Sequence, residues 1–137
     1  LLEIFDFDYI YGDSTALQDP SGLILTESSA IKYFGRTDVL GETITFDNEF
    51  DFRVTAVIED IPLNSHFNSS VVMDSGMEFM APVAGLSRMR DWDVAGNWNN
   101  LSIGNMTYVL LSESLDEAWL NSQMDSLLER MVPEDQK

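Results

Sequence analysis

The stretch that decides the fold is ETITFDNEFDFRVTAVIED, residues 42–60. Apolar and polar residues alternate at 44–46, and they alternate again over 50–58 after a polar turn at 47–49. Alternation with a period of two is typical of a strand with one buried face, and a short turn joins two such strands into an antiparallel hairpin. Because Pro62 has no N–H to donate, the second strand is predicted to end before it. The residues expected on its buried face are Phe50, Phe52, Val54, Ala56 and Ile58.

A strand and a helix are predicted before the hairpin. Residues 23–26 (LILT) are short, apolar and rich in strand-forming side chains, which suits a buried strand. Thr26 can then cap a helix over 27–34, and Gly35 suits the position after a helix where φ is positive. Residues 1–13 end in a turn signal and are expected to form a short helix or an edge strand.

The pattern after the hairpin is weaker. Residues 67–74 are expected to form a third strand and residues 105–113 a further one. Between them, 75–100 is ambiguous. We interpret it as a broken helix, because proline and glycine interrupt any long helix there, at Pro82, Gly85 and Gly96.

The last segment carries the clearest helical signal. Ser114 and Glu117 have the spacing of a capping box, in which each side chain bonds the other's backbone N–H. Apolar residues then repeat at helical spacing, and Pro133 ends the helix. The residues of this apolar face are Leu120, Met124, Leu127, Leu128 and Met131.

This order of elements predicts an α+β fold, with a mainly antiparallel sheet, a β-hairpin and helices packed on the sheet. The length of 137 residues suits one domain or two small subdomains that share a core. The chain begins with Leu1-Leu2 and lacks an initiator methionine, so we interpret it as a piece of a larger protein.

The composition argues against several classes of function. Seven Lys and Arg residues against 24 Asp and Glu residues give a formal net charge of −17. This charge repels phosphate backbones, so we expect no nucleic-acid partner, and docking on an anionic membrane surface is disfavoured. Without cysteine there is no disulfide, thiolate nucleophile or cysteine-based zinc site. The apolar runs are far shorter than the roughly 18 residues of a membrane helix.

The only histidine, His66, lies in EDIPLNSHF (59–67) together with Glu59 and Asp60. A hydrolytic site needs a nucleophile, a histidine and an acid that converge in space. Ser65 is adjacent in sequence, and adjacent residues of an extended segment point apart. We therefore expect a turn here, and we predict no catalytic, cofactor-binding or metal-binding residue in the chain.

Methionine is concentrated in and just before the poorly patterned segment 75–100. Flexible thioethers suit a surface that adapts to varied partners, although filling gaps in a core is their commoner use. Both alternatives stay open. The residues expected to bind a partner or substrate, if this segment does so, are Met77, Met80, Met89, Trp92 and Trp98.

Three phrases stand in a fixed order along the chain: FDFDYIYGD (5–13), LTESSAIKYFG (25–35) and DVLGETITFDNEFDFRVTAVIEDIPLNSHF (38–67). In order and spacing they resemble the MacB-like periplasmic core domain of FtsX/MacB/Lol-type ABC transporter permeases, in the version typical of Bacteroidota. The agreement covers residues 4–67, about half of the chain. Residues 75–100 depart from the family pattern.

The resemblance implies a non-catalytic domain without a cofactor, outside the cytoplasmic membrane, between the first and second transmembrane helices of a permease. It further implies that the first transmembrane helix and the leading part of that domain precede residue 1. The resemblance also implies two small subdomains, one porter-like and one small and α/β-rich. The implied partners are an ATPase subunit or domain acting through the membrane helices, a periplasmic adaptor protein and a second permease subunit in a homo- or heterodimer.

We therefore expect residues 1–137 to be an extracytoplasmic core-domain fragment of an ABC permease, with 75–100 as a variable segment rich in Met and Trp. Its function would be to couple cytoplasmic ATP hydrolysis to export or mechanotransmission in the periplasm. The alternative is a free-standing periplasmic domain that binds a ligand or a protein. An enzyme that uses His66 with Asp60 or Glu59 is the least favoured hypothesis.

Overall fold

A computed structural model of the chain describes residues 1–62, 64–67, 76–89, 108–112 and 117–131. The chain divides into two compact units, Leu1–Trp92 and Asp93–Lys137. Strands and helices together confirm the predicted α+β class. In chain order the elements are β1 (Tyr9–Tyr11), β2 (Gly22–Thr26), α1 (Glu27–Phe34), β3 (Thr43–Phe46), β4 (Phe50–Ile58), β5 (Phe79–Met80), α2 (Val83–Met89) and α3 (Glu117–Met131).

The long strand β4 lies at the centre of the sheet, whose order is β1-β4-β2-β5 with β3 also paired to β4. β4 runs antiparallel to β1 and β3 and parallel to β2, and β5 runs antiparallel to β2. The predicted mainly antiparallel sheet is thus confirmed. The parallel β2–β4 pair was not expected from the sequence.

The predicted hairpin is formed by β3 and β4, which meet at the pair Phe46 and Phe50. In its turn, Asp47 and Asn48 have φ angles of 53° and 57°. The Glu49 N–H donates to the Phe46 carbonyl oxygen over 3.1 Å. Positive φ at both central positions gives a turn whose twist matches the strands, and Asp and Asn tolerate this conformation better than most residues.

The prediction that β4 buries one face only is wrong beyond Val54. Leu23 of β2 pairs with Val54 but Ile24 pairs with Ala56, so Thr55 is the extra residue of a bulge. After the bulge, core clusters cover β4 on both faces, because β4 is a central strand there. The first cluster contains Leu23, Leu25, Ala30, Val39, Phe52, Val54 and Val57, and the second contains Ala16, Ile24, Ala56, Ile58 and Met80.

Helix α1 has the bounds and both caps that the sequence predicts. The Thr26 hydroxyl oxygen accepts from the Ser29 N–H over 3.4 Å at the N-terminus. At the C-terminus, Gly35 has φ 72° and its N–H donates to the Ile31 carbonyl oxygen over 2.8 Å. Ser29 and Ala30 are buried, so α1 is fixed to the sheet through one face.

Helix α2 begins just after Pro82, as a helix limited by this proline should. The prediction that Gly85 interrupts a helix is wrong, because Gly85 lies inside α2 and is buried. A Cβ atom there would lie 2.3 Å from the Pro20 carbonyl oxygen and 2.8 Å from the Phe52 ring. The glycine is therefore explained by close packing, and Gly96 lies outside the described residues.

The second unit is described through α3 and residues 108–112. The helix runs to Met131, whereas Ser114 and Pro133, the predicted cap and stop, lie outside the described residues. The predicted strand over 105–113 is not formed at 108–112, where Val109 and Leu110 are exposed and unpaired with any sheet. The predicted strand over 67–74 falls outside the described residues except for Phe67, which lies in a turn.

Candidate functional site

A groove of about 260 Å³ lies between residues 5–8 and the turn that follows β4. The two segments are joined because the Glu59 N–H donates to the Asp8 carbonyl oxygen over 2.8 Å, next to the β1–β4 pair Tyr9 and Ile58. We call this feature the acidic groove. It brings together the first and the last of the three phrases that carry the family resemblance.

The apolar side of the acidic groove is aromatic. The rings of Phe5 and Phe67 meet edge to face, with centroids 5.1 Å apart, and those of Phe7 and Phe67 lie 5.7 Å apart. These separations fall in the range that aromatic pairs prefer. Phe67, which ends EDIPLNSHF, therefore anchors the turn to the N-terminal stretch.

The acidic groove is also lined by exposed acidic residues, which are Asp6, Asp8, Glu59 and Asp60. Three ion pairs of the described residues lie elsewhere, at Lys32–Glu78, Arg36–Glu42 and Arg53–Asp19. Within the same described ranges, no His, Asp and Glu side chains are grouped so that they could hold a metal ion. The groove therefore has a local excess of negative charge.

Asp60 has a different role from its neighbours, because it caps α1. The Ser28 N–H donates to Asp60 Oδ1 over 2.9 Å, and the Ser28 hydroxyl donates to Oδ2. A carboxylate at the N-terminus of a helix accepts hydrogen bonds from its free N–H groups and is attracted by the positive end of the helix dipole. The sequence analysis missed this contact, since 32 positions separate the two residues and neither pattern nor propensity reports on such pairs.

A second contact joins α1 to the segment before β5. Lys32 Nζ lies 2.8 Å from Glu78 Oε1, and the Tyr33 hydroxyl donates to Oε2 over 2.7 Å. The hydrogen bonds from Lys32 and then Tyr33 hold the pKa of Glu78 below its ordinary value. The pKa of Lys32 is raised, and its hydrogen bond to Glu78 is the main cause.

His66 lies in the turn that the sequence predicts, and its side chain is exposed. Its ring centroid is 4.1 Å from that of Phe67 and 5.8 Å from that of Phe5. The Ser65 hydroxyl oxygen accepts from the Phe67 N–H over 3.3 Å, and the Ser65 N–H donates to the Pro62 carbonyl oxygen. Ser65 and His66 thus contribute to the turn and to its aromatic packing.

The structure places three of the five predicted partner-binding residues against the core. Met80 is 8% exposed and belongs to the second cluster, and Met77 packs against that cluster. Met89 packs against the first cluster. These positions favour gap filling for the methionines, and Trp92 and Trp98 lie outside the described residues. A partner-binding role for this set remains a prediction.

Comparison with known proteins defines the class. Residues 1–127 match the family model of the MacB-like periplasmic core domain, and such domains are periplasmic parts of ABC transporter permeases. Because the match covers most of its length, the chain belongs to the MacB-like periplasmic core domain family. The match confirms the family predicted from the three phrases and extends well beyond residue 67. No curated protein matches the chain.

Among solved structures, the chain is similar to a crystallised domain of a protein described as a permease, from Porphyromonas gingivalis. The sequences are 26% identical and the TM-score is 0.59. The similarity covers 95% of this chain and 55% of the other, so this chain spans about half the length of that one. No described helix combines the length and apolar character that crossing a membrane requires.

Proposed function

We propose that the chain is a non-catalytic extracytoplasmic domain of an ABC permease, which couples ATP hydrolysis in the cytoplasm to export or mechanotransmission in the periplasm. The observation that carries this proposal is the family match over residues 1–127. The ATPase subunit or domain acts on the domain through the membrane helices. A periplasmic adaptor protein and a second permease subunit, identical or different, are the remaining proposed partners.

The first unit is built in a way that supports transmission of force. Strand β2 continues directly into α1 through Thr26, and the β2 residues Leu23, Ile24 and Leu25 are completely buried. A close-packed core resists compression, so a load applied at one place is passed on by the whole body. The contacts of Ser28 with Asp60 and of Lys32 with Glu78 add links from α1 to two segments outside the helix.

The test uses the full-length permease with its ATPase, reconstituted in lipid nanodiscs. Residues 1–137 contain no cysteine, so Glu49→Cys, at the exposed hairpin turn, introduces a single spin-label site within them. Electron–electron distance measurements between the labels of the two subunits are then made without nucleotide and with trapped ATP. We expect the distance distribution to change between the two states.

Asp38→Cys, an exposed site elsewhere in the first unit, serves as an independent second label. An unchanged distance at both sites, in a permease that still hydrolyses ATP, would contradict the proposal. A parent protein in which a signal peptide leads directly into this domain, with no membrane helix, would instead support the free-standing binding domain. Replacing His66 with alanine should leave ATP-dependent movement unchanged.

A further inference from the structure

The acidic groove combines features that no single role in the fold requires. Three exposed acidic residues, Asp6, Asp8 and Glu59, line it together with the half-buried Phe5 and Phe67. We infer that the acidic groove is a docking site for a polypeptide segment of a partner protein, one that carries arginine or lysine next to an aliphatic or aromatic side chain. This inference goes beyond the proposed function, which assigns no binding surface to the domain.

The negative charge of the acidic groove indicates that its occupant is positively charged. Both oxygens of Asp60 accept hydrogen bonds from Ser28, whereas Asp6, Asp8 and Glu59 take part in none of the ion pairs that the described residues form. A chain of net charge −17 attracts a basic partner from a distance, and the three carboxylates complement its cationic groups on contact. The faces of the phenylalanine rings also attract a cation.

Size decides the kind of occupant. Pockets for drug-sized ligands measure roughly 300–1,000 Å³. The acidic groove, at about 260 Å³, is smaller than this range and open to solvent along its acidic side. It can take one or two side chains from a segment that passes over it, and the apolar neighbour of the cationic residue would then contact Phe5, Phe7 and Phe67.

The experiment uses the 137-residue chain and a short synthetic peptide that alternates arginine and leucine and has blocked ends. Binding is measured by isothermal titration calorimetry and located by NMR chemical-shift changes. We expect the shifts to concentrate at residues 5–8 and 59–67, and the affinity to fall as salt is added. Peptides with glutamate in place of arginine, or serine in place of leucine, are expected to bind at least about tenfold more weakly.

The decisive variant carries Asp6→Asn, Asp8→Asn and Glu59→Gln, which remove the three charges and leave Asp60 in place. The matched control carries Asp38→Asn, Glu49→Gln and Glu129→Gln, exposed acids outside the groove, and changes the net charge equally. We expect the groove variant to bind at least about tenfold more weakly and the control to bind almost as the parent chain does. Circular dichroism verifies that both variants are folded.

Three results with the peptide would overturn the inference. They are absence of peptide binding to the parent chain, an equal loss in the groove variant and the control, and shifts located outside the groove. Binding of benzyltrimethylammonium at the groove without binding of the peptide would also overturn it, in favour of a small organic cation. Because the test involves neither nucleotide nor membrane, its outcome is independent of the movement measured for the proposed function.

Discussion

Helices α1 and α3 are both predicted from the sequence, α1 from its caps and α3 from its apolar face, yet their surroundings differ. α1 has eight residues, buries Ser29 and Ala30, and is capped at each end. α3 has 15 residues and buries none of them. Its apolar side chains remain well exposed, with exposed fractions of 44% for Trp119, 44% for Met124, 47% for Leu128 and 39% for Met131.

The difference shows that length and periodicity do not decide how firmly a helix is fixed. A helix in water gains most of its stability from the surface on which it packs, and α1 packs on β2 and β4. The side chains that hold α1 in place therefore belong largely to the sheet. Four predictions test this contrast, from the largest expected effect to the smallest.

The largest effect is expected from Phe52→Ala. Phe52 is 1% exposed, packs edge to face against Phe46 at 5.4 Å and lies next to Gly85 of α2. Its loss leaves a cavity and should lower the free energy of unfolding by about 3–5 kcal/mol. The matched change in α3, Leu128→Ala, should cost no more than about 0.5 kcal/mol. Urea unfolding followed by circular dichroism measures both, and similar losses would remove the contrast.

The next effect concerns the C-terminus of α1. Gly35 has φ 72°, a conformation that costs other L-residues roughly 1–2 kcal/mol, although a Cβ atom there would meet nothing within 4 Å. Gly35→Ala should therefore destabilise the chain by about this amount through backbone strain alone. Gly35→Asn, which tolerates positive φ better, should lose clearly less stability. Equal melting temperatures of the parent chain and the alanine variant would contradict this account.

At the N-terminus of α1, Thr26→Ala should cost about 1 kcal/mol, because it removes the side-chain cap and leaves a helix N–H unsatisfied. Thr26→Ser keeps the hydroxyl and serves as the control. Asp60→Asn should have a smaller effect of the same sign, since the amide oxygen still accepts from Ser28 but the charge at the helix dipole is lost. A neutral Thr26→Ala variant would mean that Asp60 suffices as the cap.

The smallest effect is a pH dependence at Glu78. The pKa of Glu78 is lowered in the folded chain, mainly by the hydrogen bond from Lys32. Its contribution to the free energy of unfolding is therefore fully present above the ordinary pKa of 4.5. The contribution is lost as pH falls below 4.5 and through the lower folded-state pKa. Because Lys32 is exposed, we expect less than about 1 kcal/mol. Comparing pH–stability curves of the parent and Glu78→Gln isolates this group, and parallel curves below 4.5 would refute it.

The features predicted correctly are those encoded over short distances. The hairpin follows from alternation and a turn within residues 42–60, and α1 follows from caps directly beside the helix. The features that were missed join distant residues: the parallel β2–β4 pair, the contact of Ser28 with Asp60 and that of Lys32 with Glu78. A single sequence carries no signal for such pairs. The family resemblance indicated only that the segments containing these residues occur together in one domain.

Two errors have a shared physical cause. Strict alternation failed after Thr55, and the prediction that Gly85 interrupts a helix failed. Both outcomes depend on which distant segments pack against the residue, and the local pattern does not report this. Central position in the sheet makes both faces of β4 apolar, and contact with Phe52 makes a glycine fit inside a helix. The acidic groove could be anticipated only in part, since its two segments are about 50 positions apart in sequence and meet through β1 and β4.

The central place of β4 also has a consequence for the order of folding. Its pairing with β3 closes a turn between Phe46 and Phe50, whereas its pairing with β2 joins Leu23 to Val54, 31 positions apart (54 − 23). Short loops close at a lower entropic cost, and hairpins form in roughly 1–10 μs. We therefore expect the hairpin to form before β2 docks along β4. In stopped-flow experiments, Ile44→Val should mainly slow refolding and Ile24→Val should mainly speed unfolding, and the reverse assignment would exclude this order.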